Sequence, residues 1–245
     1  MSRYFLVSAF FLSIVLASLA IDGIISVPWY WYIGWTFLFI IITALGTQRL
    51  AWQYFMPVYS KSKQVQGVAL TFNLDDMVTD VDAILSSLAI HQVKAAFFCT
   101  GSWVNKNAKL LNAIYQAGHL VGNLSYHNSR NLYLRSYRNI ASELTATDQS
   151  IVQTIGVEPR FFRPPCGLTS PMIAKNIKQK KYVTIGWSHI GGPVSTIQKG
   201  DIVKITQTDD LPEILSFITR AALPVVRLDD FIGEQAYHKP RAGMQ

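Results

Sequence analysis

Two uncharged apolar stretches near the start of the chain constrain its fold more than any other feature. Residues 4–21 contain no Asp, Glu, Lys or Arg, and neither do residues 24–47, with Asp22 and Gly23 between them. Each stretch suits a membrane-spanning helix, which needs about 17–25 predominantly apolar residues. We therefore predict two transmembrane helices that form a hairpin over residues 1–48, and an integral membrane protein.

The first stretch has a second interpretation, since the small residues at 17–20 could mark the cleavage site of a signal peptide. The second stretch would then still anchor the chain. Arg3, Arg49 and Lys61 lie on the terminal side of the hairpin, so the positive-inside rule predicts both termini in the cytoplasm.

Composition excludes some functions. Only 15% of residues are charged, and the net charge of +7 is spread along the chain without a dense basic run. We therefore expect no nucleic-acid partner, whereas a basic protein suits an anionic lipid surface. Cys99 and Cys166 fit neither a metal-binding spacing nor a disulfide framework, so two free thiols and a single disulfide both stay open.

Strand-like and helical patterns alternate in the rest of the chain. After a polar linker at residues 49–66 comes a domain at 67–238, followed by a short tail at 239–245. Predicted strands lie at 68–72, 95–99, 182–187, 201–205 and 224–228. A long helix starts near Ser136 and ends at Gly156, and another starts at Ser170. Such alternation is typical of an α/β fold with a parallel sheet or barrel.

Ligands of such folds bind at the carboxyl ends of the strands. The candidate site is therefore built from the segments that follow the strands: residues 73–76, 99–102, 123–128, 163–167, 187–192 and 206–210.

Four segments in order resemble the motifs of the NodB-homology family of polysaccharide deacetylases, carbohydrate esterase family 4. Residues 69–72 and the acids after them resemble its first motif, and residues 95–101 resemble A-T-F-F-x-x-G. Residues 118–123 resemble G-H-E-I-G-N, and residues 162–167 match F-R-P-P-x-G. The likeness covers about residues 64–235. It implies a distorted (β/α) barrel of the NodB type, preceded here by the two transmembrane helices.

The family's reaction is the metal-assisted hydrolysis of an N- or O-acetyl group on a carbohydrate. A divalent zinc or cobalt ion polarises the acetyl carbonyl and acidifies a bound water. In the family, an Asp of the first motif acts as base and the next Asp binds the metal. Two His of H-S-x-x-H complete the ligand set, and a late L-x-H supplies the acid.

The resemblance places unsuitable residues at the catalytic positions. Asn73 stands at the position of the base, and an amide cannot take up a proton near neutral pH. Arg163 matches the arginine of R-P-P, which orients the base in the family. Thr206 stands near the position of the acid. Asn73, Arg163 and Thr206 are therefore the candidate catalytic residues of an impaired site.

The metal positions are also replaced. Leu74 stands at the metal-binding Asp, and Leu124 and Asn128 stand at the two His. No cofactor is therefore expected, unless displaced ligands rescue a zinc or cobalt site. Asp75, Asp76 and His127 are the candidates for such a rescue, because a shift of two residues keeps a side chain on the same face of a strand.

Two further features concern the substrate and the sheet. Tyr126, Pro164, Pro165 and Trp187 are the candidate contacts to carbohydrate. The connection from Trp187 to Gly200 is short, as if a helix of the family fold were missing.

Three functions stay open. The first is a membrane-anchored deacetylase-like protein that is inactive or impaired and still binds carbohydrate. The second is an active deacetylase or deformylase of a polysaccharide or lipid-linked sugar. The third is a membrane interaction scaffold with unknown protein partners. A bacterial plasma membrane is the expected location. The charge rule puts the domain inside the cell, whereas the family's extracytoplasmic substrates put it outside.

Overall fold

The fold is that of a computed structural model of the chain. The structure describes residues 13, 14, 17, 19, 28–48, 53–76, 80–191, 193–206 and 208–237. All but four residues of the first predicted membrane helix lie outside this set, and so do the hairpin turn and the tail at 239–245. The hairpin therefore stays a prediction.

The second predicted membrane helix is a continuous helix, α1 (Trp29–Gln48). Residues 30–48 are the single candidate membrane span among the described residues, and only 6% of its most apolar window is buried. Its exposed side chains include large apolar ones, namely Trp31, Trp35, Phe37, Phe39 and Ile40. By length and composition α1 is thus able to cross a membrane.

The rest of the described chain is built around a parallel sheet. Its strands are β1 (Ala69–Leu74), β2 (Ala96–Cys99), β3 (Leu120–Asn123), β4 (Phe161–Phe162), β5 (Val183–Thr184), β6 (His189–Ile190) and β7 (Ile202–Ile205). They lie in the order β5-β4-β3-β2-β1-β7-β6, and every neighbouring pair is parallel. The sheet is open within the described residues, so the predicted barrel is a half-barrel.

Helices connect most of the strands. They are α2 (Val81–Ile90), α3 (Gly101–Lys106), α4 (Ala108–Gln116), α5 (Tyr137–Ile155), α6 (Pro171–Lys180), α7 (Asp210–Arg220) and α8 (Leu228–Ile232). The predicted ends of α5 are confirmed: the Ser136 side chain accepts a hydrogen bond from the Asn139 N–H, and Gly156 has a φ of 75°. The predicted start of α6 at Ser170 is confirmed in the same way.

The side chains of the sheet alternate between two apolar layers. Leu70, Phe72 and Leu74 of β1 point into the larger core, which also takes in Val81 and Leu211 from the helices. On the other face of the sheet, Ala69, Phe98, Phe161 and Ile202 pack in a second core. We call this second side of the sheet the interior face, because it leads into the candidate site at the carboxyl ends of the strands.

Two expectations need correction. Met56 and Val58, within the predicted linker, are buried against the domain. Tyr59 also forms a parallel bridge with Ile185, so this segment packs on the sheet edge and is not a free linker. The predicted strand at 224–228 makes one bridge, from Val225 to Val68.

The short connection before β7 contains a single 3-10 turn (Val194–Thr196) in place of a helix. The sequence predicts that a helix of the family fold is missing from this connection, and the structure agrees.

Candidate functional site

The candidate site lies where the interior face reaches the carboxyl ends of the strands. Thr71 pairs in register with Lys204, and Asn73 follows Thr71 on the same face of β1. On the other side, Arg163 follows β4 two residues after Phe161, and Trp187 follows β5 two residues after Ile185. The period of two therefore brings these polar and aromatic side chains together.

Arg163 holds the centre of the site through hydrogen bonds to neutral groups. Its Nη1 donates to Asn73 Oδ1 at 2.9 Å, and its Nη2 donates to Thr71 Oγ1 at 2.9 Å. Nη2 also donates to the carbonyl of Gly186, and Nε donates to the carbonyl of Ile185. The predicted association of Arg163 with the base position is therefore present, with an amide oxygen as acceptor.

The Arg163 guanidinium is fully buried and stacks on Phe98, with its Cζ 4.1 Å from the ring centroid. No carboxylate pairs with it in the part of the chain that the structure describes. Burial lowers the pKa of Arg163 to about 9, because a charged group is costly to remove from water. The aromatic face offsets part of that cost.

Lys204 brings a second positive charge to the same place. Its Nζ lies 4.6 Å from the centroid of the Trp187 ring, and the Arg163 Cζ lies 5.6 Å from that centroid. Burial lowers the pKa of Lys204, and the nearby Arg163 lowers it further. Trp187 is half-buried, which leaves part of its ring open to solvent.

The R-P-P loop gives the site its shape. Pro164 and Pro165 are buried, so their rings fix the backbone and do not offer a surface to carbohydrate, contrary to expectation. After them, Cys166 and Gly167 have φ angles of 53° and 71°. A side chain at Gly167 would come within 2.9 Å of the Trp187 ring, so glycine lets the indole pack on the loop.

Two of the family's metal positions carry buried leucines. Leu74 packs in the larger core and Leu124 in the interior core, and both are 0% exposed. At the third position, the Asn128 Nδ2 donates to Asp75 Oδ2 at 2.7 Å, and its buried Oδ1 has no partner among the described residues. One amide oxygen beside two alkyl chains does not fit the three-ligand site of a catalytic zinc.

The candidates for a rescued metal site do not come together. Asp76 pairs with Lys106 at 3.0 Å and accepts a hydrogen bond from Ser102, and both side chains of this ion pair are at least half exposed. His127 is exposed, and its ring meets the Tyr126 ring edge-on. Within the described ranges, no group of three or more His, Cys, Asp or Glu is arranged to hold a metal ion.

Other predicted residues have varied surroundings. Tyr126 packs on Gly101, and its hydroxyl accepts a hydrogen bond from Asn105 Nδ2 at 3.1 Å. Thr206 follows β7 and is exposed. Cys99 is buried and Cys166 exposed, and both are free thiols, so the disulfide is excluded. The contact of Tyr126 with a substrate and the catalytic role of Thr206 at the acid position stay predictions.

Sequence reasoning missed Lys204, Thr71 and Phe98. A lysine between Val203 and Ile205 was a signal, because a charged residue within an apolar strand needs a reason to be there. Thr71 and Phe98 carried no such signal, since threonine and phenylalanine are ordinary residues of a strand.

The sequence model of the family described as Polysaccharide deacetylase matches residues 60–185. Among curated proteins, the uncharacterized protein YlxY of Bacillus subtilis is 34% identical over 54% of this chain and 41% of its own length. The peptidoglycan-N-acetylmuramic acid deacetylase PdaA of Bacillus subtilis is 30% identical over 43% of this chain and 40% of its own length. The chain thus spans less than half the length of these two relatives.

Solved structures share the fold. A peptidoglycan N-acetylglucosamine deacetylase superposes with a TM-score of 0.67 at 22% identity, over 74% of this chain and 94% of that one. A family 4 carbohydrate esterase pseudoenzyme of Bacillus anthracis, in a mutant form with restored enzymatic activity, gives 0.66 at 25% identity, over 72% and 71%. On its family match, its parallel half-barrel and its R-P-P loop, the chain belongs to the polysaccharide deacetylase family.

Proposed function

We propose that this chain is a membrane-anchored deacetylase-like protein that binds a cell-wall glycan and does not remove its acetyl groups. One observation carries the proposal: Asn73 stands in the place of the base, and its Oδ1 is already held by Arg163 at 2.9 Å. Proton transfer by a positioned group commonly contributes 10²–10⁴-fold to a rate, and an amide cannot supply it.

The metal positions support the same conclusion. Leu74 and Leu124 offer no lone pair and are enclosed by other apolar side chains. Without the ion, the acetyl carbonyl would lack its Lewis acid and no bound water would be acidified. Removal of several members of a catalytic set leaves little beyond binding.

Glycan binding is the function that this site can still perform. Trp187 is half-buried beside the buried Arg163. Tyr126 is half-buried in the loop that follows β3. Aromatic rings combined with a few fixed polar groups are typical of ligand pockets. Two relatives are described as peptidoglycan deacetylases, and a third neighbour as a pseudoenzyme, which supports a peptidoglycan-like ligand for a non-catalytic member.

The membrane anchor rests on α1. Its 20 residues carry no charge, and most of its apolar side chains are exposed. We expect the protein to stay with membranes on extraction with alkaline carbonate, which releases peripheral proteins. Release into the carbonate supernatant would contradict the anchor.

The side of the membrane can be determined by cysteine labelling. We would introduce Lys63→Cys together with Cys166→Ser, because Lys63 is exposed and Cys166 is the exposed native thiol. Glycan binding requires the domain outside the cell, so an impermeant reagent should label Lys63→Cys in intact cells. If Lys63→Cys is labelled only after the cells are lysed, the domain lies inside the cell, which would contradict the proposed glycan binding.

The catalytic claim is tested by following binding and acetate release in one preparation. The full chain in neutral detergent is mixed with chitin oligomers, acetylated xylan or peptidoglycan fragments, with and without zinc or cobalt. We expect saturable binding of a glycan by calorimetry and no acetate above the protein-free control. Metal-dependent acetate release would contradict the proposal and favour the displaced-ligand alternative.

A further inference from the structure

The site holds a surplus of positive charge that its own residues do not neutralise. Arg163 and Lys204 both approach the Trp187 ring, and neither forms an ion pair in the described part of the chain. Among the groups that act on Lys204 the one carboxylate is Asp75, which accepts a hydrogen bond from Asn128. Two cations and one carboxylate leave one positive charge.

The donors of these two cations are also incompletely used. Arginine has five N–H groups, and four of those of Arg163 have acceptors among the described residues, which leaves one on Nη1, the nitrogen that faces Asn73. The Lys204 ammonium has three N–H groups and no hydrogen-bond acceptor among the described residues, only the face of Trp187. The Lys204 side chain is half-buried, so an anionic ligand oxygen can take up its N–H groups.

The position of Lys204 points the same way. It lies on β7 directly beside Thr71, so its side chain belongs to the interior face, where its Nζ lies 4.6 Å from the centroid of the Trp187 ring. A structural lysine would be expected to reach a carbonyl or a carboxylate, as Lys180 reaches Asp148 at 2.8 Å. Lys204 does neither.

We propose that Lys204, with the charge of the buried Arg163 behind it, forms an anion subsite, which selects a sugar carrying one carboxylate or phosphate group next to the Trp187 ring. The inference rests on glycan binding as the proposed function and names the class of glycan. A charge-assisted hydrogen bond to an anionic oxygen is about twice as strong as a neutral one, so the anion should add affinity as well as selectivity.

Three matched probes test the subsite: the neutral disaccharide chitobiose, the disaccharide of N-acetylglucosamine and N-acetylmuramic acid, which carries one carboxylate, and chitobiose 1-phosphate. Binding of each to the full chain in neutral detergent is measured by calorimetry. We expect an anionic probe to bind about tenfold more tightly than chitobiose, the equivalent of one well-placed charge pair. The arm that shows the gain identifies the anion as carboxylate or phosphate.

The variant Lys204→Met keeps the length and apolar stem of the side chain and removes the charge. It should bring the affinity for the anionic probe down to the affinity for chitobiose measured with the same variant. The control is Lys199→Met, which makes the same charge change at an exposed lysine that contacts Gln66 ahead of β7. It should keep the full preference.

The outcomes separate the two proposals. Equal affinity of all three disaccharides would overturn the anion subsite and leave glycan binding in place, and so would a preference that survives Lys204→Met. Acetate release from chitobiose would instead overturn the non-catalytic function while the anion preference could still be measured.

Discussion

Around Arg163 the candidate site keeps a connected polar network, whereas at two of the family's three metal positions the chain has apolar side chains. The arginine side, made of Thr71, Asn73 and Arg163, is joined by two hydrogen bonds of 2.9 Å. The metal side, Leu74 and Leu124 with Asn128, has its leucines buried in the two cores. The difference teaches that the hydrogen bonds of Arg163 are compatible with a neutral residue at the base position, whereas two of the metal positions have become part of the apolar cores.

This follows from the cost of burial. The Asn73 amide oxygen accepts a hydrogen bond from Arg163, as a carboxylate would. The buried guanidinium N–H group is therefore not left without an acceptor. A buried carboxylate or imidazole at Leu74 or Leu124 would be costly without a metal ion beside it. Leucine removes that cost and adds core packing.

The largest expected effect is that of returning one metal ligand alone. Leu74→Asp should destabilise the protein by about 3–5 kcal/mol, because it removes a leucine from the larger core and buries a carboxyl group there. The free energy of unfolding is measured by urea denaturation of the full chain in detergent. Ile90→Asp, at a position 77% exposed, is the matched control and should change little. If Leu74→Asp lowers the free energy of unfolding as little as Ile90→Asp does, the side chain at position 74 does not contribute to the core.

A slightly smaller loss is expected on the arginine side. Arg163→Met should cost about 2–4 kcal/mol, because it leaves Asn73, Thr71 and two backbone carbonyls without their donor. The same denaturation experiment measures it, with the exposed Arg138→Met as control. A neutral or stabilising effect would show that the network adds nothing to stability, and the contrast between the two sides would fail.

The smallest effect is a gain. Asn73→Asp should stabilise the protein by about 1 kcal/mol at pH 7, because the new carboxylate would face Arg163 and lie near Lys204. The cations would hold the pKa of this Asp below its ordinary value, so the gain should be present at neutral pH and disappear as the pH falls below about 4.

The control for this gain is Asn112→Asp, at an exposed helical position, and unfolding is compared at pH 7 and pH 3.5. Asn73→Asp should still release no acetate, since Leu74 and Leu124 remain. A loss of stability at pH 7 would contradict the positive surplus around Arg163.

Much of this contrast was predictable from the sequence, and part of it was not. The motif order located Asn73, Arg163, Leu74 and Leu124, because strand periodicity and the R-P-P loop survive the loss of catalytic residues. The sequence offers Asp76 as a conditional ligand and does not indicate its ion pair with Lys106, which depends on the distance between the segment after β1 and the end of α3. Lys204 stands out locally as a charged residue within an apolar strand, but its role depends on its distance from Trp187, which the sequence does not give.

The measurement that tests the central claim most directly is zinc binding by the untagged full chain, followed by calorimetry and by the metal content after dialysis. The account predicts no stoichiometric zinc, because Leu74, Leu124 and Asn128 do not make a ligand set. One zinc ion per chain, lost in Asp75→Ala and in His127→Ala but kept in the exposed control Asp82→Ala, would contradict it.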